Sequence, residues 1–194
     1  MSVFYTKIEI LISPNHIKNN YPKKDILKMC EFNLVHTRAD IAAVSKLAKQ
    51  IWNDHYLPII GQDQIDYMLL TFQSEEAINK QLNEGFKYFI VKNHNQAVGY
   101  FAVTGNNKSN TVQISKLYIT SRFQNCGIGA AIISFIERSH INTHDLELWL
   151  TVNRENRQAI SFYQKEGFQK SGCIDQDIGQ GFVMDDYKMV KVIK

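Results

Sequence analysis

The chain has 194 residues, of which 44% are apolar and 21% are charged, and its formal net charge is +3. This length suits one well-buried domain, and the composition is that of an ordinary soluble globular protein. The charge is too small to predict nucleic-acid binding, and no apolar run approaches the roughly 20 residues that a membrane span needs. We therefore expect neither a nucleic-acid partner nor a membrane partner.

Targeting signals and metal-binding patterns are also missing from the sequence. Residues 1–7 lack the apolar core and the small-residue cleavage site of a secretion signal. The cysteines, Cys30, Cys126 and Cys173, are odd in number, far apart and without metal-type spacing. These features predict reduced thiols, a cytoplasmic protein and no bound metal.

Residues 1–30 differ in pattern from the rest and are predicted to form an N-terminal extension. Isoleucines alternate with other residues over 8–12, which is typical of a short strand, and a polar, turn-rich segment follows. An extra strand packed on the domain fits this pattern, and so does a weakly ordered extension ahead of a true start at Met29. The domain itself is predicted to span residues 31–194.

The first half of the domain is predicted to be mainly helical. A short strand over 32–37 precedes a helix that begins with Asp40 as its N-cap and continues to about Asn53, with apolar residues at helical spacing. Further helices are predicted over residues 62–72 and 74–82, the second of which ends at Gly85.

The second half is predicted to contain most of the sheet. Strands over 88–92 and 97–104 are joined by the hairpin signal Asn-His-Asn-Gln. The following predicted elements are a turn at 105–108, a strand over 111–119, a helix over 130–140, a strand over 146–152, a helix over 158–166 ended by Gly167, and closing strands over 169–178 and 182–192. This order predicts one domain with a mixed α/β fold.

The most informative segment is the glycine turn, residues 124–130, with the sequence Gln-Asn-Cys-Gly-Ile-Gly-Ala. A strand, a glycine turn and a helix start bring unpaired N–H groups and a positive helix end to one point, which binds phosphate. A P-loop would require Gly-Lys-Ser/Thr, whereas Gly129 is followed by two alanines. A Rossmann fingerprint would require a third glycine where Ile132 stands. The residues therefore exclude both designs.

A third phosphate-binding design fits the residues. The segment 117–129, Leu-Tyr-Ile-Thr-Ser-Arg-Phe-Gln-Asn-Cys-Gly-Ile-Gly, resembles the acyl-CoA loop of the GNAT superfamily of N-acetyltransferases. The family pattern is Leu-x-Val-x-Pro-x-x-Arg/Gln-x-x-Gly-x-Gly/Ala, and Ser121 departs from it only where turn geometry is concerned. Downstream, residues 151–168 are similar to the family's second CoA-side motif, with Asn156 before an alanine and Tyr163 before Gly-Phe.

The resemblance covers roughly residues 32–194 and implies both a fold and a reaction. The implied fold is a central, mixed, mostly antiparallel twisted sheet flanked by helices, in which strands 111–119 and 146–152 splay apart. The implied reaction is direct acetyl transfer from acetyl-CoA, without a metal, to a primary amine of a peptide or of a small molecule such as a polyamine or an amino acid. A monomer or a homodimer is expected. The residues that the resemblance assigns to acetyl-CoA are Leu117, Tyr118, Ile119, Gln124, Asn125, Cys126, Gly127, Ile128, Gly129, Ala130, Asn153 and Asn156.

The resemblance also suggests catalytic residues. Tyr163 is the expected general acid, because a phenol with a pKa of about 10 is protonated at neutral pH; packing against the sheet is the alternative. Asn156 is expected to bind the CoA arm or to cap a helix. The strand 111–119 carries no carboxylate, so Glu147, on the same strand face as Thr151, is the candidate base. A solvated edge position for that glutamate and a water chain as base are the alternatives.

Other polar residues have two interpretations each. The segment 52–56, which includes His55, lies between the first two predicted helices. In the family this region shapes the acceptor site; the alternative is a surface loop. Residues 185–187, Asp-Asp-Tyr, bind a cationic acceptor or occupy a hairpin. Cys126 has a lowered thiol pKa at a helix start or is a tolerant loop position.

Two other functions fit the same motifs. The missing carboxylate on strand 111–119 favours a non-catalytic CoA-binding or regulatory module that keeps the fold. The size of the acyl pocket is not legible in the sequence, so an acyltransferase with a longer acyl group or a different nucleophile is the second alternative to the leading acetyltransferase hypothesis.

Overall fold

A computed structural model describes residues 29–106, 110–140 and 146–194. Residues 1–28 of the predicted N-terminal extension and part of the predicted turn at 105–108 lie outside the described residues, whereas Cys30, the last residue of that extension, begins the first strand. The elements are β1 (Cys30–Leu34), α1 (Arg38–Ile60), α2 (Gln62–Phe72), α3 (Glu75–Asn83), β2 (Lys87–Asn93), β3 (Gln96–Asn106), β4 (Thr111–Ile119), α4 (Ile128–Arg138), β5 (Leu146–Asn153), α5 (Arg157–Lys165), β6 (Gln169–Gly179) and β7 (Phe182–Ile193).

The strands form one seven-stranded sheet in the order β1-β2-β3-β4-β5-β7-β6. Neighbouring strands are antiparallel except β4 and β5, which are parallel. Their pairing covers three residue pairs, from Thr111 opposite Glu147 to Gln113 opposite Trp149, and the two strands separate beyond it. The predicted mixed, mostly antiparallel sheet with two splayed strands is confirmed.

Helices cover both faces of the sheet, because successive side chains of a strand point to opposite faces. In β2, Phe89 and Val91 belong to the core beneath α4 and α5, whereas Tyr88 and Ile90 belong to the core beneath α1, α2 and α3. Within the described ranges, no helix has both the length and the apolar character that a membrane crossing requires.

Helix α1 begins earlier and ends later than the sequence predicted. Its N-cap is Thr37, whose hydroxyl accepts a hydrogen bond from the Asp40 amide at 3.1 Å. The Asp40 carboxylate accepts in turn from the Thr37 amide at 3.0 Å, so that Asp40 completes a capping box and is not the cap. The helix then continues past Asn53 to Ile60. Residues 52–56 are therefore helical, and the rings at the two ends of this segment pack 4.7 Å apart.

Lys116 of β4 is a buried cation on the α3 side of the sheet, with 8% of its surface exposed. Its Nζ donates to Gln81 Oε1 at 2.8 Å, and the same oxygen accepts from Tyr88 Oη at 2.7 Å. The rings of Phe86 and Tyr88 lie 5.8 and 5.4 Å from Nζ. Burial lowers the pKa of Lys116 from 10.5 to about 8, because loss of water disfavours the charged form.

We expect Lys116→Met to raise the free energy of unfolding at pH 7 by up to about 3 kcal/mol, since each pH unit between the folded and unfolded pKa is worth about 1.4 kcal/mol. The buried ammonium destabilises the wild-type protein. Because its pKa is lower in the folded than in the unfolded state, this cost is fully present below pH 8 and disappears as pH rises towards 10.5. Urea unfolding of both proteins between pH 7 and 10 measures the difference in the free energy of unfolding, which should shrink as pH rises.

The matched control is Lys49→Met, because Lys49 is an exposed lysine on α1. Its effect should be small and independent of pH over the same range. A pH-independent difference for Lys116→Met would contradict the assigned pKa.

Candidate functional site

A cleft of about 610 Å³ lies where β4 and β5 separate. Its walls are formed by the ends of these two strands, the turn before α4, helix α5, the second half of α1 and one part of β7. Since β3 holds one edge of β4 and β7 holds one edge of β5, the two strand ends that face the cleft are fixed in place.

The glycine turn forms one end of the cleft. Asn125 and Gly127 have positive φ angles of 57° and 84°, which reverse the chain tightly before α4. Gly127 is the N-cap of α4, and no side chain caps this helix. The first N–H groups of α4 therefore lack partners within the helix and lie at the positive end of its dipole. This arrangement suits an anionic group such as a phosphate.

Gly129 allows α4 and α5 to approach each other. A Cβ at this position would lie 2.8 Å from Cζ of Phe162, which itself lines the cleft. The sequence analysis assigned Gly129 to ligand binding and did not identify Phe162 as its neighbour. The contact joins residues 33 positions apart in the chain, so that no local pattern could indicate it.

The cleft brings together the residues that the family resemblance assigned to acetyl-CoA, with the exception of Cys126. That side chain is buried in the core, and its Sγ donates to the Gln124 carbonyl at 3.4 Å. Cys126 is thus placed as a core residue of the turn, and only its backbone is available to a ligand.

Several amide side chains of the cleft hold its own walls. Gln124 Nε2 donates to the Ile119 carbonyl at 3.0 Å, which ties the turn to the end of β4. Asn156 Oδ1 accepts from the Ala159 amide at 3.0 Å and caps α5. Asn153 Oδ1 accepts from the next-but-one amide at 2.9 Å and shapes the turn after β5. The capping alternative for Asn156 is therefore what the structure shows, although Asn156 also lines the cleft.

Tyr163 is a buried residue of the cleft wall, with 8% of its surface exposed. Its ring packs against Phe162 and Phe168 at centroid distances of 5.1 and 5.7 Å. Burial, assisted by the nearby Tyr56, raises the pKa of Tyr163 above its ordinary value. The phenol is therefore protonated at neutral pH.

An aromatic wall, formed by Trp52, Tyr56 and Tyr118, faces the same space. Its ring centroids are separated by 4.7 Å (Trp52–Tyr56), 5.7 Å (Trp52–Tyr118) and 6.3 Å (Tyr56–Tyr118). Burial raises the pKa of Tyr56 to about 12, an effect that the nearby Asn156 side chain opposes. The sequence offered a signal for this wall, because Trp52 and Tyr56 continue the helical i, i+4 spacing beyond Ala48.

Asp186 of β7 is a carboxylate in the cleft wall with 4% of its surface exposed. Burial raises the pKa of Asp186, and the neighbouring Asp185 adds to this, while the nearby Thr151 side chain and Arg154 oppose it. Of the residues 185–187, Asp186 is thus the one that lines the cleft.

Glu147 is not brought to the cleft. It shares a face of β5 with Thr151, as alternation predicted, but the two residues are about 13 Å apart along the strand. Glu147 Oε1 lies 3.9 Å from Lys188 Nζ on the partly exposed surface. The predicted strand face is therefore correct, but Glu147 sits at the end of β5 where the strands are still paired.

The comparisons with known proteins agree with this geometry. Residues 56–190 match the family model described as an acetyltransferase (GNAT) domain. An uncharacterised N-acetyltransferase of Mycobacterium bovis is 24% identical over 134 residues, which cover 69% of this chain and 85% of that protein. The peptidyl-lysine N-acetyltransferase YjaB of Escherichia coli is 27% identical over 103 residues, which cover 53% of this chain and 63% of that protein.

A solved structure shares the fold. The PaiA N-acetyltransferase of Thermoplasma acidophilum, crystallised in complex with coenzyme A, superposes with a TM-score of 0.65 at 19% identity. The match covers 84% of this chain and 99% of that one.

We expect Gly129→Ala to lower the free energy of unfolding by about 1–3 kcal/mol, because the new methyl group would overlap the Phe162 ring. Urea unfolding measures the loss. Adding Phe162→Leu should recover part of it, so that a double-mutant cycle gives a favourable coupling. Gly172→Ala is the control, since a Cβ there meets nothing within 4 Å. Equal effects of the two alanine variants would contradict the packing role of Gly129.

Proposed function

The chain belongs to the GNAT acetyltransferase family, and from this premise we propose that it moves an acetyl group from acetyl-CoA to a primary amine by direct attack. The observation that carries the proposal is the cleft between the separated ends of β4 and β5, with an uncapped glycine turn and the buried Tyr163 both in its wall. The coenzyme A complex of the PaiA acetyltransferase supports the choice of donor.

The donor fits the two exposed backbone features of the cleft. The pyrophosphate would lie on the N–H groups of residues 127–130, where the helix dipole favours negative charge. The pantetheine arm would lie along the edge of β4 at Leu117 and Ile119, which β5 leaves unpaired beyond Gln113. Acetyl-CoA supplies an activated thioester carbonyl carbon.

Tyr163 is proposed as the general acid. The amine nitrogen bonds to the carbonyl carbon, the carbon–sulfur bond breaks, and the thiolate takes the phenol proton. The buried phenol holds this proton at neutral pH, as the leaving group requires. The phenolate is then reprotonated by a proton that the attacking nitrogen releases.

We expect Tyr163→Phe to lower kcat by about 100-fold, a typical contribution of one positioned acid. The dissociation constant for acetyl-CoA should change by less than about threefold, because the phenol acts on the leaving group and not on donor binding. Thiol release and calorimetric titration measure the two quantities. Tyr88→Phe removes a buried hydroxyl outside the described cleft lining and should leave both unchanged. Unchanged turnover in Tyr163→Phe would remove this residue from the acid role.

An acceptor screen tests the function itself. The wild-type chain and acetyl-CoA are incubated with alkylamines, polyamines, amino acids and lysine-containing peptides, the last because YjaB is named as a peptidyl-lysine acetyltransferase. We expect acceptor-dependent release of free thiol together with a product heavier by one acetyl group. Donor binding without release for any amine would support a non-catalytic module, and release only from a longer acyl-CoA would support a different acyltransferase.

A further inference from the structure

We infer that Asp186 binds the acceptor as a primary alkylammonium and receives its proton, so that the cleft selects alkylamines over the α-amino groups of free amino acids. This inference rests on the acetyl transfer proposed above and extends it to the class of acceptor.

The first observation is a buried carboxylate without a cationic partner in the protein. Within the described residues, no ion pair includes Asp186. The nearby Arg154 is engaged elsewhere, by Asp175 at 2.8 Å and by Asp185 at 2.6 Å. An uncompensated buried charge is costly, and a bound cation would offset that cost. The cleft therefore favours a positively charged ligand beside Asp186.

The second observation is what surrounds this carboxylate. Tyr56 and Tyr118 of the aromatic wall line the same cleft as Asp186, and its charge adds to the rise in the pKa of both phenols. Aromatic faces attract ammonium groups and bury alkyl chains. Tyr163 lines this cleft as well. The charged subsite and the proposed acid thus border one space, as acetyl transfer requires.

The charges of the cleft also argue against an α-amino acid. Its carboxylate stands one carbon from the amine and would be brought close to Asp186, which it would repel. Among the described lining residues, the lysine or arginine side chain is that of Lys165. Lys165 is the last residue of α5, about 13 Å along the helix from its N-cap Asn156. An alkylamine carries no carboxylate and avoids the repulsion from Asp186.

The ammonium nitrogen loses two protons during acetyl transfer. The ammonium gives one proton to the Asp186 carboxylate, and the freed lone pair attacks the thioester carbonyl carbon. The carbon–sulfur bond breaks, and the sulfur takes a proton from Tyr163, which the nitrogen's second proton restores. Asp186 then returns its proton to water, so that one proton is released for each amide formed. Burial raises the pKa of Asp186, which makes this carboxylate a stronger base than an exposed one.

A small set of titratable groups near Asp186 determines the acidic limb of the pH profile of kcat/KM. The titratable or charged groups near Asp186 are Tyr56 on α1, Tyr118 on β4, Arg154 after β5 and Asp185 on its own strand. His55 of α1 and Lys165 and Glu166 at the end of α5 also line the cleft. Burial raises the pKa values of the two tyrosines further above the acidic range, so that variants of the Asp186 contacts assign the limb among the remaining groups.

The test compares Asp186→Asn with Asp185→Asn, its exposed neighbour on the same strand. The acceptors are n-butylamine, norvaline, which adds only a carboxylate to it, and aniline, which is largely unprotonated at pH 7. We expect wild type to prefer n-butylamine over norvaline. Asp186→Asn should lower kcat/KM for n-butylamine by about 100-fold, but that for aniline by less than about fivefold, because aniline has no proton to give before attack. Asp185→Asn should change either value by less than about threefold.

The outcomes separate this inference from the function beneath it. If wild type acetylates no amine, the proposed function fails. If wild type is active but prefers norvaline, or if Asp186→Asn leaves n-butylamine turnover unchanged or lowers both amines equally, the role of Asp186 is overturned. Acetyl-CoA affinity and cooperative urea unfolding verify that each variant is folded.

If Asp186→Asn does not fold, Thr151→Val is the second variant. It removes the hydroxyl that lowers the pKa of Asp186, so that the acidic limb of kcat/KM for n-butylamine should move to higher pH. A limb that does not move overturns the proposal, because a structural role for the carboxylate would not set the position of that limb.

Discussion

The site depends on one feature of the sheet, the early end of the parallel pairing between β4 and β5. After Gln113 and Trp149 the two strands separate, although each is still held on its other edge by an antiparallel neighbour. Backbone N–H and C=O groups that lose a strand partner require another, either water or a ligand that pairs like a strand. The separation therefore creates the cleft and leaves it a backbone surface for an extended ligand.

The same constraint explains why polar groups gather at this place. Tyr56, Tyr118, Tyr163 and Asp186 come from a helix, two strands and a second helix, and each is buried or half-buried in the cleft wall. Burial without a full set of partners is unfavourable for folding, and it raises the pKa values of these acids. Elevated pKa values suit the roles proposed for Tyr163 as an acid and for Asp186 as a base. The free energy of unfolding is thus lower than an apolar lining of this cleft would allow.

Lys116 and Asp186 show how the surroundings of a buried charge indicate its role. Lys116 has a hydrogen bond to Gln81 and two aromatic rings, and it faces the core between the sheet and α3. Asp186 lies near the Thr151 hydroxyl and borders the open cleft, which is also lined by aromatic rings. Lys116 has its partners within the fold. Asp186 would gain from a bound cation, because among the described residues no ion pair includes it.

The local sequence was sufficient for most of the fold, and the donor-binding residues that it predicted, except Cys126, line one cleft. Period-2 and period-3.6 patterns predicted the elements, and residues 111–119 were predicted with the observed bounds. The glycine turn and Tyr163 were found through motif spacing. Helix α1 was predicted too short, because the polar residues after Ile51 looked like a break, while Trp52 and Tyr56 extend its buried face.

Tertiary structure alone decided which carboxylate borders the cleft. Glu147 and Thr151 share a strand face, but only the point of strand separation determines which end of β5 borders the cleft. Asp186 and Asp185 are equivalent in sequence, and strand alternation together with the register opposite Asn153 directs one into the cleft and the other to Arg154. Local patterns report spacing along the chain, whereas a carboxylate's role depends on contacts between residues far apart in sequence.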